Sequence, residues 1–250
     1  MSAEDAVVQN FLIYKIGSAV VIASAMWLFR KRIKYHTQQR MFAWFMDRVT
    51  NRMNRGLYKY KTEVFQYVHK HKRDVNHDLK VLEVGAGTAA NLQFLPDNTS
   101  LTCLDPNPHF VGYIKSNLKK NDKVVEAEIV TGFAENMPFE DKQFDVVICT
   151  LVLCSVKDVD DCLKEIKRVL VKGGIFVSVE HVADKEKSLT WYVQGIANPF
   201  HRWLGDGCEA RRNTRNNIEK AGFSEVVLEN IRPKSLPFWI RPCIMGYARK

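Results

Sequence analysis

The chain has 250 residues, 46% of them apolar, and a formal net charge of +9. That length suits one α/β domain with extensions, and the apolar content excludes an intrinsically disordered chain. Its six cysteines, Cys103, Cys149, Cys154, Cys162, Cys208 and Cys243, form no C-x-x-C pair and no framework spacing. Neither a disulfide scaffold nor a metal site is therefore expected, and reduced core thiols point to a cytosol-facing body.

The charge is unevenly placed: residues 1–29 carry a net −1, residues 30–73 a net +11, and the remainder a net −1. Phe11–Phe29 is an apolar run with Lys15 as its one charge. As a helix it is just long enough to cross a hydrocarbon core of about 30 Å. Arg30, Lys31, Arg32 and Lys34 follow it, which places the chain beyond them on the cytosolic side. The alternatives are a monotopic anchor in one leaflet, because Lys15, Gly17 and Ser18 interrupt the run, a signal peptide cleaved near Ala23-Ser24-Ala25, and a buried core helix. The expected organisation is an anchor over 1–34, a basic amphipathic linker over 35–76 and a catalytic domain over 77–250, with lipid contacts over 1–55. Two helices are expected within 35–73. Phe42, Phe45, Met46, Val49 and Met53 recur at helical spacing in the first, and Leu57, Val64 and Val68 in the second. The pair rests on the membrane or packs on the domain.

From residue 79 the pattern alternates. Strands are expected at Lys80–Val84, Leu101–Leu104, Ala127–Val130, Phe144–Cys149, Ile175–Val179, Val226–Ile231 and Ile244–Ala248. Helices are expected at Thr88–Leu95, Pro108–Lys120, Asp158–Val171 and Cys208–Ala221. This order predicts an α/β fold, Rossmann-like and doubly wound, with a mostly parallel seven-stranded sheet behind the N-terminal anchor helix. Ligands in such sheets sit at the carboxyl ends of the strands.

The turn Gly85-Ala86-Gly87 follows the first strand, and Asp105 ends the second. Glycines let the backbone approach a ligand, a helix starting near Thr88 would present N–H groups, and a carboxylate at Asp105 suits a ribose diol. Together these residues indicate a nucleoside cofactor. Gly85-x-Gly87-x-x-Ala90 also fits a dinucleotide fingerprint. Glu83 favours S-adenosylmethionine, since a carboxylate two residues before the turn can face an ammonium group.

The chain resembles the membrane-anchored alkyl-thiol methyltransferases, the methyltransferase-like seven family, from its N-terminal anchor to its last residue. The likeness rests on Leu82-Glu83-Val84-Gly85, Gly87-Thr88, Asn91, Asp105-Pro106-Asn107-Pro108, Cys149 through Lys157, Glu180-His181-Val182-Ala183, Asp206-Gly207-Cys208, Arg241-Pro242 and Gly246-Tyr247-Ala248. It implies endoplasmic-reticulum and lipid-droplet membranes and methyl transfer to small alkyl thiols. It implies a cofactor site of Glu83, Gly85, Ala86, Gly87, Asn91, Asp105 and Pro106, with Thr150 and Leu151 flanking the adenine or methionyl part. Phe133 stands where many methyltransferases place an acid, so adenine recognition is expected to fall to Glu135 or to backbone groups such as those of Ala134.

A thiol reacts as its thiolate, and His181 at the end of the fifth strand is expected to deprotonate the thiol or stabilise the thiolate, the alternative being a histidine that only holds a loop by hydrogen bonds. Trp191, His201 and Trp203 are expected to line an apolar acceptor pocket, and no metal is expected to take part. The expected partners are membrane lipids and a small lipophilic thiol, not nucleic acid. The place after the fourth strand reads Cys149-Thr150-Leu151-Val152 and lacks the acidic or Asn-Pro-Pro-aromatic motif of amino-methylating enzymes. A quinone, sterol or arsenical acceptor, or a non-catalytic lipid-droplet protein on the same fold, stays open.

Overall fold

The structure, a computed structural model, describes the backbone of residues 3–250 and the side chains of residues 35–250. The predicted anchor at 11–29 lies outside those side chains. Among the described residues no helix is long and apolar enough to cross a membrane.

Seven strands form one sheet: β1 Leu79–Val84, β2 Thr99–Asp105, β3 Val124–Thr131, β4 Phe144–Thr150, β5 Leu170–His181, β6 Glu225–Ile231 and β7 Cys243–Arg249. Their spatial order is β3-β2-β1-β4-β5-β7-β6. Neighbours from β3 to β5 are parallel, while β7 runs antiparallel to both β5 and β6. The order reverses between β1 and β4, so the crevice expected at a topological switch point opens at the carboxyl end of β1.

The central strands are buried on both faces because alternate side chains feed two apolar layers. Val81, Cys103, Ile148 and Val177 face one layer, with Leu57, Val64, Phe65 and Val68 of helix α1 (Ala3–Arg73). Leu82, Val147 and Phe176 face the other, with Cys162, Leu163 and Ile166 of α3 (Val159–Val169) and Ile218 of α5 (Thr214–Lys220). The remaining helices are α2, Val111–Leu118, and α4, Leu189–Leu204. Asp158 starts α3 by accepting hydrogen bonds from the N–H groups of Asp160 and Asp161, a standard N-cap.

The chain divides into two compact units, 1–41 and 42–250, so the break falls inside α1. The helix from Phe42 onward therefore belongs to the catalytic unit. The two helices expected over 35–73 are one. Gly56 does not interrupt it, although glycine costs about 1 kcal/mol inside a helix. A Cβ at that position would collide with the side chain of Ser235. The glycine thus admits the loop before β7 against the helix, and that packing offsets the propensity cost.

A second expectation fails after β1. Thr88–Leu95 is not a helix but a turn followed by a three-residue 3-10 helix, Leu92–Phe94. Ala89 adopts a left-handed φ of 56°, which an α-helix cannot include. The helix expected over Cys208–Ala221 shortens to α5.

Candidate functional site

β1 delivers Glu83 to the switch point, and the chain then turns through Gly85 and Gly87 with φ of 62° and 54°. A Cβ at Gly85 would stand 2.5 Å from Val152 Cγ2, so the loop after β4 can lie against this turn only because the residue is glycine. Ala86 N–H donates to the Leu104 carbonyl, which ties the turn to β2. Asp105, at the end of β2, accepts from Gly87 N–H at 2.9 Å and from Asn107 N–H at 2.8 Å. Burial nevertheless raises its carboxyl to about 6, with Asp206 adding like charge. Pro106 lies in the turn that follows.

Glu83 is buried, and one of its oxygens, Oε1, accepts from Asn91 Nδ2 at 2.8 Å. The other, Oε2, is buried without a hydrogen-bond partner. Burial raises this carboxyl to about 7. Asn91 Nδ2 also donates to Thr150 Oγ1 at 2.9 Å, joining β1 to the end of β4. Lys61 of α1 completes the network: its Nζ donates to Asn54 Oδ1 and Asn91 Oδ1, each at 2.7 Å. Burial lowers the Lys61 ammonium to about 8, against the pull of Glu83. Lysine fixes the orientation of the Asn91 amide: with Oδ1 committed to a cation, Nδ2 must face the carboxylate.

In the sequence Lys61 is one of the basic residues of 30–73, and nothing there marks Asn54. Helical spacing was the signal that could have found Lys61, which stands on the buried face with Leu57, Val64, Phe65 and Val68. Glu180, the penultimate residue of β5, belongs to the motif Glu180-His181-Val182-Ala183, but its role is visible only in the structure. It accepts from Val152 N–H at 3.0 Å and Leu153 N–H at 3.1 Å, which fixes the loop after β4. That loop begins with Leu151 at a φ of 60°.

Residues 82–178 match the family model described as "Methyltransferase domain". The chain is 38% identical over 212 residues to the thiol S-methyltransferase TMT1B of Rattus norvegicus, covering 84% of this chain and 86% of that one. It is 36% identical to the thiol S-methyltransferase TMT1A of Homo sapiens, covering 85% and 87%. The chain belongs to the thiol S-methyltransferase family. In fold it is similar to a putative methyltransferase from Bacillus halodurans, with a TM-score of 0.55 at 17% identity, covering 73% of this chain and 98% of that one.

The methyl donor of the family is S-adenosylmethionine, and the residues present fit it. The unpartnered Oε2 of Glu83 suits an ammonium group, the glycine turn leaves room for close approach, and Asp105 retains lone pairs for a diol. Glu83, Gly85, Gly87, Asn91, Asp105 and Thr150 are thus brought together by direct contacts. Ala134 is buried in the apolar layer that also holds Val84 and Leu104, and Glu135 is occupied as the acceptor of Lys157 N–H at 2.6 Å. Phe133 is exposed, with the Lys157 ammonium 4.9 Å from its ring centre.

The residues expected around the acceptor stand differently. His181 is not at an open mouth: it is 2% exposed, and its Nε2 lies 2.8 Å from Cys208 Sγ. β5 runs two residues beyond its expected end at Val179, which carries His181 under α4 and the turn that follows it. Trp191 and Trp203 do not converge. They lie twelve residues apart on α4, a separation of about 18 Å along a helix axis. Trp191 is covered by the Arg211 guanidinium, 3.1 Å from its ring centre, whereas Trp203 is 61% exposed. His201 faces inward, its ring 5.9 Å from that of His181 in a T-shaped arrangement.

Proposed function

We propose that this chain methylates the sulfur of small lipophilic thiols at a cytosol-facing membrane of the endoplasmic reticulum or lipid droplet. The observation that carries the reaction is the buried, unpartnered carboxylate oxygen of Glu83 beside the glycine turn. The thiol acceptor rests on similarity to proteins named thiol S-methyltransferases, matched over more than four-fifths of both chains.

Bound S-adenosylmethionine supplies a methyl group already activated on a sulfonium. The chain's own residues then have to bind, align and exclude water. Glu83 holds the ammonium end, with its side chain fixed by Asn91 and, through Asn91, by Lys61. Asp105 holds the ribose and keeps the glycine turn in register with β2. Thr150 and the loop tied down by Glu180 form the wall on the β4 side. The acceptor sulfur would bond to the methyl carbon as the methyl–sulfonium bond breaks, leaving the cofactor as its neutral thioether while the thiol proton passes to solvent.

The membrane reading is supported from two directions. Phe11–Phe29 is an apolar run bordered by four basic residues. Independently, α4 carries a stripe of exposed apolar side chains, Leu189, Tyr192, Ile196, Phe200 and Trp203, at spacings of three and four. A contiguous exposed apolar face on a helix marks an interaction surface, and here it suits the interface from which a lipophilic acceptor would be taken. The N-terminal run anchors the chain, as a span or in one leaflet.

The test is transfer of labelled methyl to a panel of alkyl thiols, selenols, quinones and RNA by the full chain in detergent. Thiols should be methylated and RNA should not. Turnover of quinones with no turnover of thiols would defeat the proposed acceptor, and no cofactor binding by calorimetry would defeat the enzyme reading.

A further inference from the structure

Three soft or borderline donors converge between the loop after β4, the end of β5 and the turn after α4. Cys208 Sγ lies 3.1 Å from Cys154 Sγ and 2.8 Å from His181 Nε2. All three donor atoms lie within 4.8 Å of one another. Cys154 and Cys208 are 1% and 9% exposed. His201, whose ring stands against that of His181, has its Nε2 buried without a hydrogen-bond partner, as has His181 at Nδ1.

Hydrogen bonding among these groups is a poor explanation for their convergence. A thiol is a weak donor and a weak acceptor, and buried polar atoms are normally paired. Two buried imidazoles facing two thiols would forfeit more hydration than such contacts return. The sulfurs are also farther apart than the roughly 2.05 Å of a disulfide. Thiolate and imidazole are, in contrast, the ligand set of tetrahedral zinc, whose donors stand roughly 3.4–3.8 Å apart given metal–ligand lengths of about 2.0–2.3 Å. The observed separations of 3.1 and 2.8 Å would open by about 0.7 Å each on binding the metal.

We propose that Cys154, His181 and Cys208 bind Zn(II), with His201 as the fourth ligand. Two sulfur–metal bonds form, and the two thiol protons leave to solvent. The two thiolates cancel the dication, so a buried site carries no net charge. The four ligands come from four segments, and the metal would pin α4 and the loop after β4 to the last residue of β5. That loop carries Leu151, whose carbonyl accepts from Cys154 Sγ at 3.5 Å. The site is independent of the proposed acceptor, since it joins structural segments whatever substrate is methylated.

The test uses the full chain in detergent, purified without chelator. Metal analysis should return about one Zn(II) per chain. Replacement by Co(II) should give the thiolate-to-cobalt charge-transfer absorption of a tetrahedral site, read on the unmutated protein so that no variant need fold. Cys208→Ser and His181→Asn should weaken zinc binding by at least ~10-fold. Cys162→Ser, at a buried cysteine of α3 outside the donor cluster, should leave it unchanged. Zinc uptake no greater than in a chelator-treated control overturns the proposal. So does a cobalt spectrum without thiolate absorption, or a Cys154–Cys208 disulfide that zinc does not prevent.

Discussion

Glu83→Gln keeps the size and one hydrogen-bonding oxygen of a side chain that is fully enclosed, and removes only its charge. In the unliganded protein that charge is unfavourable, since burial lifts the carboxyl from 4.5 to about 7. The shift corresponds to about 3 kcal/mol of disfavoured ionisation. The unliganded chain therefore loses stability as pH rises from 4.5 through about 7, and the loss levels off above. Binding has the opposite sign, because an ammonium ligand requires the ionised carboxylate. S-adenosylmethionine affinity should rise as pH climbs through about 7 and flatten beyond it. At about pH 8 the glutamine variant should bind the cofactor about 30- to 150-fold more weakly, which is the ~2–3 kcal/mol of a charge-assisted hydrogen bond. Unliganded, it should melt no lower than the wild type. Calorimetric titration at three pH values and thermal unfolding without ligand test both halves. A variant that binds within threefold of wild type near pH 8, or that keeps the wild-type pH dependence, would refute the assignment of Glu83.

The network behind Glu83 makes its own predictions. Lys61→Met orphans Asn54 Oδ1 and Asn91 Oδ1 and should cost about 2–4 kcal/mol, read by denaturant unfolding, with cofactor affinity falling as Asn91 loses its fixed orientation. Gly56→Ala should destabilise the chain by about 1–3 kcal/mol through its collision with Ser235. Ser235→Gly in the same chain should recover most of that loss, and a double-mutant cycle showing simple additivity would contradict the contact. The pair Ile196→Glu with Phe200→Glu places two charges on the exposed stripe of α4. It should raise KM for a thiol delivered in lipid vesicles and leave KM for a water-soluble thiol unchanged; equal effects on both would argue against a membrane-facing stripe.

The elements of the sheet were legible because each central strand is a continuous apolar run bounded by turns, and the cofactor residues because they sit at fixed positions relative to those strands. Glu83, Gly85, Gly87 and Asp105 lie within three residues of a strand end, so the chain's alternation alone brings them to one edge. Asn91 was legible as a member of the site, but not its part as the amide joining Glu83, Thr150 and Lys61. The failed expectations share a cause. The helix after β1 was predicted from local propensity, yet Ala89 takes a left-handed turn while Asn91, two residues on, reaches partners on three other elements. Gly56 lies inside α1 and Gly173-Gly174 inside β5, although glycine disfavours both kinds of element. In each case tertiary contacts outweigh a preference worth about 1 kcal/mol.

The sequence by itself determined the α/β order, the nucleoside-binding edge and the family, all of which depend on neighbours in the chain. Only the tertiary structure decided that Lys61 meets Asn91, 30 residues away, that His181 meets Cys208 across 27 residues, and that Cys208 meets Cys154 across 54. No spacing rule encodes such meetings. They follow from the register of parallel strands and from the way α1 and α4 pack, and these are fixed by burial summed over the whole sheet.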